Sequence, residues 1–299
     1  MKISIIIPYF RGEILFERLL LSIVKAITKL DKVSDNFEVI TIIDSVETPR
    51  AEIEEIKHTC FASLKNTNYK IIKNESNLGV AASRNAALKI AKGEFIHLID
   101  QDDEVHENFY SNVQPVWSKF NFILNNGVVF YENKKFNSHK LYYVKPELTL
   151  KGFLKDDFIR SPGQVLFKKD LLKGFLFPEP KRFKGTDDRF FWIKMFTVNK
   201  NIKPYYLAYP GYIAYIHEHN YSADLQNMKM SELENWLSFP VNEIPKEFNN
   251  LVKNDILRIR LTLGEKLIVS EKITAIYTKL LYFCRLNKII RFINKRKKW

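Results

Sequence analysis

The sequence predicts an α/β protein with a mainly parallel sheet flanked by helices, and two observations support this prediction. Short apolar runs rich in β-branched residues alternate with segments of helical spacing over the first hundred residues, as in parallel α/β sheets. Several of these runs also end in polar or charged residues. Ligands bind at the carboxyl ends of the strands in such sheets, so we expect a site at that edge.

The elements of this region are predicted in the order strand, helix, strand, strand, helix, strand. The predicted strands lie at residues 3–8, 37–44, 69–74 and 95–99. The first helix is predicted at residues 13–30, where apolar residues recur at helical spacing. The second is predicted to begin near Asn77 and to end before Gly93, because glycine commonly terminates helices.

Further along the chain the pattern is mixed. Strands are predicted at residues 127–132 and 139–145, a strand leading into a helix at 163–172, and a helix at 186–196. From about residue 231 the chain is predicted to be helical and increasingly basic. We therefore expect a main α/β domain over residues 1–225 and a helical, basic C-terminal region over residues 226–299.

The composition limits the class of protein. With 299 residues, 46% apolar and 27% charged, the chain can form one large globular domain or two modest ones. Its two cysteines, Cys60 and Cys284, make no disulfide framework, which is typical of a reducing compartment. The N-terminal apolar run is too short for a secretory signal peptide, and no apolar stretch approaches the ~20 residues of a membrane span. We therefore expect a cytoplasmic protein, soluble or peripheral.

The charge of the chain is high and uneven. The formal net charge is +13, and no acidic residue follows Glu271. The basic residues that follow it are Lys272, Lys279, Arg285, Lys288, Arg291, Lys295, Arg296, Lys297 and Lys298. Apolar residues recur among them at helical spacing, which is typical of a helix on a membrane surface. The alternatives are binding of nucleic acid or a phosphorylated substrate, or a helix packed on the main domain with a solvated tail.

The most informative stretch is GEFIHLIDQDDEVHENF, residues 93–109. The pattern of a buried strand ends here in three carboxylates within four positions, Asp100, Asp102 and Asp103, and Glu104 follows. Carboxylates this close repel each other unless a positive group lies among them. Asp100 and Asp102 can hold a divalent cation directly or through water, because Mn²⁺ and Mg²⁺ prefer oxygen ligands. The alternative is an acidic surface loop.

These motifs together resemble glycosyltransferase family 2, whose members have the GT-A fold. The resemblance lies in ISIIIPYF, the strand ending in Asp44, NLGVAASRNAALKIAKGEFIHLIDQDD and TDDRFFWIKM. The residues in register with the family motifs are Asn77, Gly79, Arg84, Asn85, Gly93, Glu94, Asp100, Asp102 and Asp103. The resemblance covers roughly residues 1–220. It implies a Rossmann-like GT-A domain that moves a sugar from a nucleotide diphosphate donor to an acceptor hydroxyl.

On the donor side the resemblance implies individual roles. Asp102 is the expected direct ligand of Mn²⁺ or Mg²⁺, and Asp100 is expected to contact the ribose or support the metal. Asp44 matches the carboxylate that binds the nucleobase, although many relatives carry two acidic residues where this chain has Asp44-Ser45. Arg84 is expected to reach the donor phosphates; the alternative is a surface arginine on a helix that packs on the sheet. The other residues expected at the nucleotide-sugar are Pro8, Tyr9, Asn77, Gly79 and Gln101.

On the acceptor side the resemblance implies a general base at the start of a helix. In the family a Glu-Asp pair supplies this base. Here the pair is Asp187-Asp188, with Asp188 as the base. The resemblance also implies that the transfer inverts the configuration of the sugar. The simpler interpretation is that both carboxylates stabilise the helix N-terminus. His217 and His219 are expected to complete the metal site or contact the diphosphate, the alternative being a structural pair. Residues 161–167 lie where relatives build the acceptor pocket.

The expected function is metal-dependent, inverting transfer from a nucleotide diphosphate sugar, with UDP the expected nucleotide. The expected acceptor is a glycan or lipid-linked glycan, as in bacterial capsule, O-antigen or lipooligosaccharide assembly, at the cytoplasmic face of the inner membrane. One alternative is a sugar-phosphate nucleotidyltransferase, which usually has a glycine-rich loop after its first strand, where this chain has only Gly12. Another is a non-catalytic protein that binds nucleic acid or a membrane surface. We expect no nucleic-acid partner, because the expected site is acidic.

Overall fold

The computed structural model describes residues 2–30, 36–64, 67–131, 138–179, 182–216 and 224–284. The strands of this part are β1 (Ile3–Tyr9), β2 (Phe37–Ile43), β3 (Asn68–Lys73), β4 (Phe95–Leu98), β5 (Glu104–Val105), β6 (Phe122–Tyr131), β7 (Ser138–Lys140), β8 (Val165–Lys168) and β9 (Pro204–Ile216). The helices are α1 (Glu13–Thr28), α2 (Arg50–Cys60), α3 (Val80–Ile90), α4 (Phe109–Val113), α5 (Leu150–Lys155), α6 (Asp187–Val198), α7 (Leu225–Ser238), α8 (Asn249–Thr262) and α9 (Val269–Phe283). Short 3₁₀ turns occur at Pro162–Gln164, Lys169–Leu172, Val241–Glu243 and Lys246–Phe248.

One half of the sheet is parallel and positions the expected site. Its strand order is β3-β2-β1-β4, and all three pairs are parallel. Every residue of β1, β2 and β4 is buried, because helices cover both faces of the sheet. β1 lies between β2 and β4, so the strand order reverses at β1 and opens a crevice at its carboxyl end. The predicted α/β sheet is thus confirmed.

The two faces of this sheet support separate hydrophobic cores. Side chains alternate along each strand, so Ile5 and Ile7 of β1 share a core with Phe16 of α1. Ile6, between them in sequence, shares the opposite core with Leu88 of α3. The helices therefore lie in two layers, one on each side of the sheet.

The order predicted for the first hundred residues omits a helix. α2 lies between β2 and β3, where the sequence predicted consecutive strands. Of the residues of α2, only Ile53 and Cys60 are buried. The apolar stripe of α2 is therefore too narrow to stand out as helical periodicity.

The other half of the sheet is mixed. β8 pairs antiparallel with both β4 and β6, β9 runs parallel to β6, and β5 pairs antiparallel with β9. Residues 127–131 of the strand predicted at 127–132 lie within β6, and residue 132 is outside the described ranges. The strand predicted at 139–145 already ends at Lys140 in β7. The segment at 163–172 contains β8 followed by a 3₁₀ turn, where a helix was predicted. β9 was not predicted.

The C-terminal helices differ in how they pack. Trp236 of α7 and Val252 and Ile259 of α8 are buried in the same core as α3 and α6. In α9, by contrast, only Ala275 is buried. The division at residue 225 stays a prediction. None of the helices in the described ranges combines the length and the apolar character needed to cross a membrane.

Candidate active site

The carboxyl ends of β1, β2 and β4 meet at one edge of the sheet. Gln101, just after β4, accepts a hydrogen bond from the Phe10 amide (2.5 Å) and donates one to the Phe10 carbonyl (3.2 Å). It therefore ties the end of β4 to the end of β1. Pro8 and Tyr9 are buried, and the Tyr9 hydroxyl donates to Glu13 (3.0 Å). Their expected contact with the nucleotide-sugar stays a prediction.

Asp44, at the end of β2, organises the loop that leads into α3. Its carboxylate accepts hydrogen bonds from the Asn74 side chain (2.7 Å) and from the amides of Leu78 (2.8 Å) and Gly79 (2.7 Å). Gly79 has φ of +89°, a conformation that favours glycine. Asn77 lies exposed in this loop. A nucleobase that bound Asp44 would share a carboxylate that already accepts three hydrogen bonds.

A positive group does lie among the carboxylates, and it is Arg84 of α3. Its guanidinium donates to Asp100 through Nη2 (2.5 Å) and to Asp187 through Nη1 (3.0 Å). Burial disfavours the charged form, but attraction to Asp100, Asp187 and Asp188 outweighs it and raises the pKa of Arg84. Arg84 is therefore neither a surface arginine nor, in this state, free for phosphates. It joins Asp100, which follows β4, to Asp187 at the start of α6.

The carboxylates of Asp100, Asp102 and Asp103, which follow β4, lie in different environments. Asp100 is about one-third exposed and pairs with Arg84. Asp103 turns inward, where it accepts hydrogen bonds from the hydroxyl of Tyr212 and the amide of Tyr215 (2.9 Å). Burial of Asp103 and repulsion from the charges of Asp102 and Asp100 raise the pKa of Asp103 well above the usual range of a carboxyl group. Asp102 remains half-buried, and its carbonyl accepts a hydrogen bond from Arg18 (2.6 Å).

The expected metal ligands are only partly within the described residues. Asp100 and Asp102 lie together at the end of β4, but His217 and His219 fall outside the described ranges. No cluster of three or more His, Cys, Asp or Glu side chains suited to a metal occurs in the part of the chain that the structure describes. Mg²⁺ and similar ions are commonly held by one or two carboxylates together with substrate phosphates. The donor set at Asp100 and Asp102 fits that mode of binding.

The expected base lies at the first turn of α6. Asp187 is buried against Arg84, while Asp188 is half-buried and accepts a hydrogen bond from the Arg189 amide (2.7 Å). Burial and the adjacent Asp187 raise the pKa of Asp188 to about 7, although Arg84 opposes the shift. Burial likewise raises the pKa of Asp187. A carboxyl group that titrates near neutrality can accept a proton from a hydroxyl group.

A polar stripe on α7, which the sequence did not single out, holds the segment before Asp187. Asn227 donates to the Lys184 carbonyl (2.8 Å), Ser231 donates to the Gly185 carbonyl (2.6 Å), and Asn235 donates to the Thr186 hydroxyl (3.3 Å). These three α7 residues are spaced by four, which places them on one face of the helix. That spacing of polar residues in a helical segment was the only sequence signal for them.

The residue after the pair, Arg189, anchors α6 to the C-terminal helices. It donates to Glu232 of α7 and to Asp255 of α8 (2.8 Å), and Arg258 contacts both carboxylates. All four side chains are buried. Attraction to Arg189 and Arg258 overcomes burial and lowers the pKa of Asp255. Local sequence patterns gave no sign of this network of charged residues, because its members come from three different helices.

Residues 161–167, the segment expected near the acceptor, pack inside the protein. Residues 161–167 are buried, and a Cβ on Gly163 would overlap the ring of Tyr212. His97 Nε2 lies 2.8 Å from the Gly163 carbonyl, and its Nδ1 lies 2.9 Å from the Tyr110 hydroxyl. Burial lowers the pKa of His97 to about 4, so the ring is neutral at physiological pH. An acceptor contact here stays a prediction.

Comparison with known proteins identifies the family of this chain. The family model of Glycosyl transferase family 2 matches residues 4–176, more than half of the chain. The chain belongs to glycosyltransferase family 2. Membership in this family favours a sugar transferase over the nucleotidyltransferase and nucleic-acid-binding alternatives.

Relatives of this family 2 glycosyltransferase come from archaea and bacteria. The uncharacterized glycosyltransferase MJ1057 of Methanocaldococcus jannaschii is 31% identical over 173 residues, 53% of this chain and 54% of that protein. WfgD of Escherichia coli, named UDP-Glc:alpha-D-GlcNAc-diphosphoundecaprenol beta-1,3-glucosyltransferase, is 25% identical over 208 residues, 66% of this chain and 70% of WfgD. The chain spans about half the length of MJ1057 and less than half of several longer relatives.

Solved structures show the fold. The crystal structure of residues 1–349 of S. aureus TarS in complex with UDP-GlcNAc has a TM-score of 0.63 and 18% identity. The match covers 99% of this chain and 90% of that chain. This family 2 glycosyltransferase therefore has the GT-A fold with a helical C-terminal region, as the sequence predicted.

Proposed function

We propose that this chain transfers a sugar, with inversion, from a nucleoside diphosphate donor to a hydroxyl group of a glycan acceptor. The observation that carries the proposal is the bridge made by Arg84. Through two hydrogen bonds Arg84 links Asp100, which follows β4, to Asp187, and Asp188 is adjacent to Asp187 in the sequence. In this proposal Arg84 joins the donor side of the transferase site to the acceptor side. UDP is the expected nucleotide, and the name of WfgD supports it.

In this proposal Asp188 is the general base. As the acceptor oxygen attacks the anomeric carbon, Asp188 takes the hydroxyl proton, and the bond between that carbon and the diphosphate breaks on the opposite face. The nucleoside diphosphate leaves with the bonding electron pair. The pKa of about 7 suits this task, because about half of the Asp188 side chains are ionised at neutral pH and the carboxylate is basic enough to accept a proton. Asp187 keeps Arg84 in place beside the reacting groups.

A divalent cation, Mn²⁺ or Mg²⁺, is the proposed cofactor. Asp102 would hold it, and Asp100 would support it. When bound, such an ion neutralises the charge that develops on the departing diphosphate. Carboxylate oxygens at the end of β4 are the type of ligand these ions prefer, which supports the assignment.

The proposed acceptor is a lipid-linked or growing surface glycan, and the proposed location is peripheral, at the cytoplasmic face of the inner membrane. The name of WfgD, which acts on a diphosphoundecaprenol-linked sugar, supports the acceptor class. The net charge of +13 and the basic C-terminal sequence support attraction to an anionic surface.

The deciding experiment is calorimetric titration of the full chain with UDP, GDP and dTDP, each with and without Mn²⁺. We expect UDP to bind in a metal-dependent manner. The variant Asp102→Asn should lose this metal-dependent binding. The matched control is Asp170→Asn, because Asp170 is an exposed carboxylate after β8, which runs antiparallel to β4 and so ends at the opposite edge. If no nucleotide bound under either condition, the donor-site assignment would be wrong.

A further inference from the structure

α9 has an inverted distribution of side chains. Its apolar residues are 44% to 76% exposed; they are Val269, Ile273, Ile276, Tyr277, Leu280, Leu281 and Phe283. The residues that turn inward are mostly small or polar, namely Glu271, Thr274, Ala275, Thr278 and Tyr282. α9 packs on α8, so the inward residues make that contact. A helix in a soluble protein normally does the opposite and buries its apolar stripe.

The exposed apolar residues form one continuous surface. At 100° per residue they fall within an arc of about 160° on the helix circumference, and the inward residues fall within about 100° on the other side. We call the first set the α9 apolar arc. Large exposed apolar patches on soluble proteins mark interaction sites, so the α9 apolar arc is a candidate interaction surface.

The charges on α9 indicate what kind of occupant fits. Lys272 and Lys279 lie seven residues apart and border the α9 apolar arc on one side. The one acidic residue of the helix, Glu271, lies on the inward side, where it accepts a hydrogen bond from the Ile268 amide (3.3 Å). No acidic residue follows Glu271 in the sequence. The outward surface of α9 therefore combines apolar and positively charged groups.

We propose that α9 lies flat in the surface of an anionic lipid bilayer, with the α9 apolar arc at the boundary of headgroups and acyl chains. Lys272 and Lys279 then contact acidic headgroups at the edge of the buried surface. This arrangement is the one adopted by interfacial amphipathic helices. The inference rests on the proposed peripheral location and names the element and the lipid chemistry behind it; it does not require that the chain transfers sugar.

A second copy of the chain fits the α9 apolar arc less well. An arc of about 160° is wider than the seam of a two-helix coiled coil, in which two of every seven positions are apolar. Pairing two such helices would also bring lysines together, without outward acidic residues to balance them. Coiled coils usually border their seam with charges of both signs.

The test is co-sedimentation of the full chain with vesicles, in the absence of any donor. Vesicles of phosphatidylcholine are compared with vesicles that contain about one-third phosphatidylglycerol, a typical acidic lipid. We expect binding to the second set only, weakened by added salt. The double variant Ile273→Glu, Leu280→Glu should reduce the partition coefficient at least about tenfold, because it places two charges in the apolar arc. Lys272→Gln and Lys279→Gln should each reduce it about fivefold.

The control variant is Leu237→Glu, which adds a charge at an exposed leucine of α7 and should leave partitioning unchanged. Thermal melting and UDP binding show whether each variant is folded. Equal binding to neutral and acidic vesicles, or wild-type partitioning of the double variant, would overturn the proposal; the second result would assign binding to residues beyond α9. A dimer that dissociates in the double variant, without vesicle binding, would instead identify a second copy as the occupant. Absence of UDP binding with intact vesicle binding would count against the transferase proposal alone.

Discussion

At the scale of single residues, Asp188 sets the expected pH dependence. Burial and Asp187 raise its pKa to about 7. The base must be deprotonated to act, so the rate of transfer should rise as the pH increases through about 7 and level off above it. The measurement is kcat/KM for sugar transfer between about pH 5 and pH 9. Asp188→Asn should lower kcat by about 10²- to 10⁴-fold and leave UDP affinity unchanged.

The origin of this raised pKa can be tested through Asp187. Asp187→Asn removes the neighbouring negative charge, and Asp100 then remains as a carboxylate bonded to Arg84. Both changes favour ionised Asp188, so the rising limb of the profile should move to lower pH. The control variant Asp170→Asn should leave the rising part of the pH profile at the same pH as in the wild type. An unmoved limb in Asp187→Asn would show that another group controls the rate.

Arg84 is expected to matter for stability as well as for transfer. Arg84→Ala leaves Asp100 and Asp187 without their shared partner in a largely buried place, and removal of one partner from a buried pair costs about 3–5 kcal/mol. Urea denaturation measures the free energy of unfolding. The control is Arg50→Ala, which breaks the exposed pair with Glu54 and should cost no more than about 0.5 kcal/mol. Equal losses in the two variants would contradict the role of Arg84 as the link between carboxylates.

At the scale of elements, α7 is expected to position the base. Thr186, directly before Asp187, has φ of +54°, a strained value for a residue other than glycine. Ser231 holds this turn through its bond to the Gly185 carbonyl. Ser231→Ala should therefore lower kcat between about 10- and 100-fold, because small displacements of a catalytic group are costly. UDP affinity, measured by calorimetry, should not change.

The control for this prediction lies on the same helix. Ser238 donates to the carbonyls of Glu234 and Asn235, both within α7, so Ser238→Ala should leave kcat unchanged. If Ser231→Ala weakened UDP binding as much as it lowered kcat, Ser231 would support the whole domain rather than the base.

The elements also show where sequence patterns succeed. β1, β2 and β4 were predicted because each is a continuous apolar run, as expected for strands buried on both faces. β9 was missed because Pro204, Pro210 and Gly211 interrupt its pattern. β9 still pairs with β6 on both sides of the interruption, because the register of the pairing shifts around Asn126. Long-range pairing, rather than local preference, makes β9 a strand.

At the scale of the whole molecule, the C-terminal helices are expected to contribute unequally to the fold. A chain that ends at residue 224 loses Trp236, Val252 and Ile259 from the core and deprives Arg189 of Glu232 and Asp255. We expect it not to unfold cooperatively in thermal melting. A chain that ends at residue 264 loses α9, of which only Ala275 is buried, and should melt cooperatively and bind UDP. A folded 1–224 chain would show that the helices are a separate unit.

The sequence by itself determined the parallel half of the sheet, the family resemblance and the grouping of Asp44, Asp100 and Asp102 at one edge. These features follow from local runs and fixed spacings, and the periodicity of strands and helices makes such patterns readable. The tertiary structure alone decided which charges meet. Arg84 lies 16 residues from Asp100 and 103 from Asp187, so its bridging position depends on how α3, β4 and α6 pack together. The same reason explains why Asp103 turns inward and why α9 exposes its apolar side: side-chain direction is set by the neighbours that folding brings close.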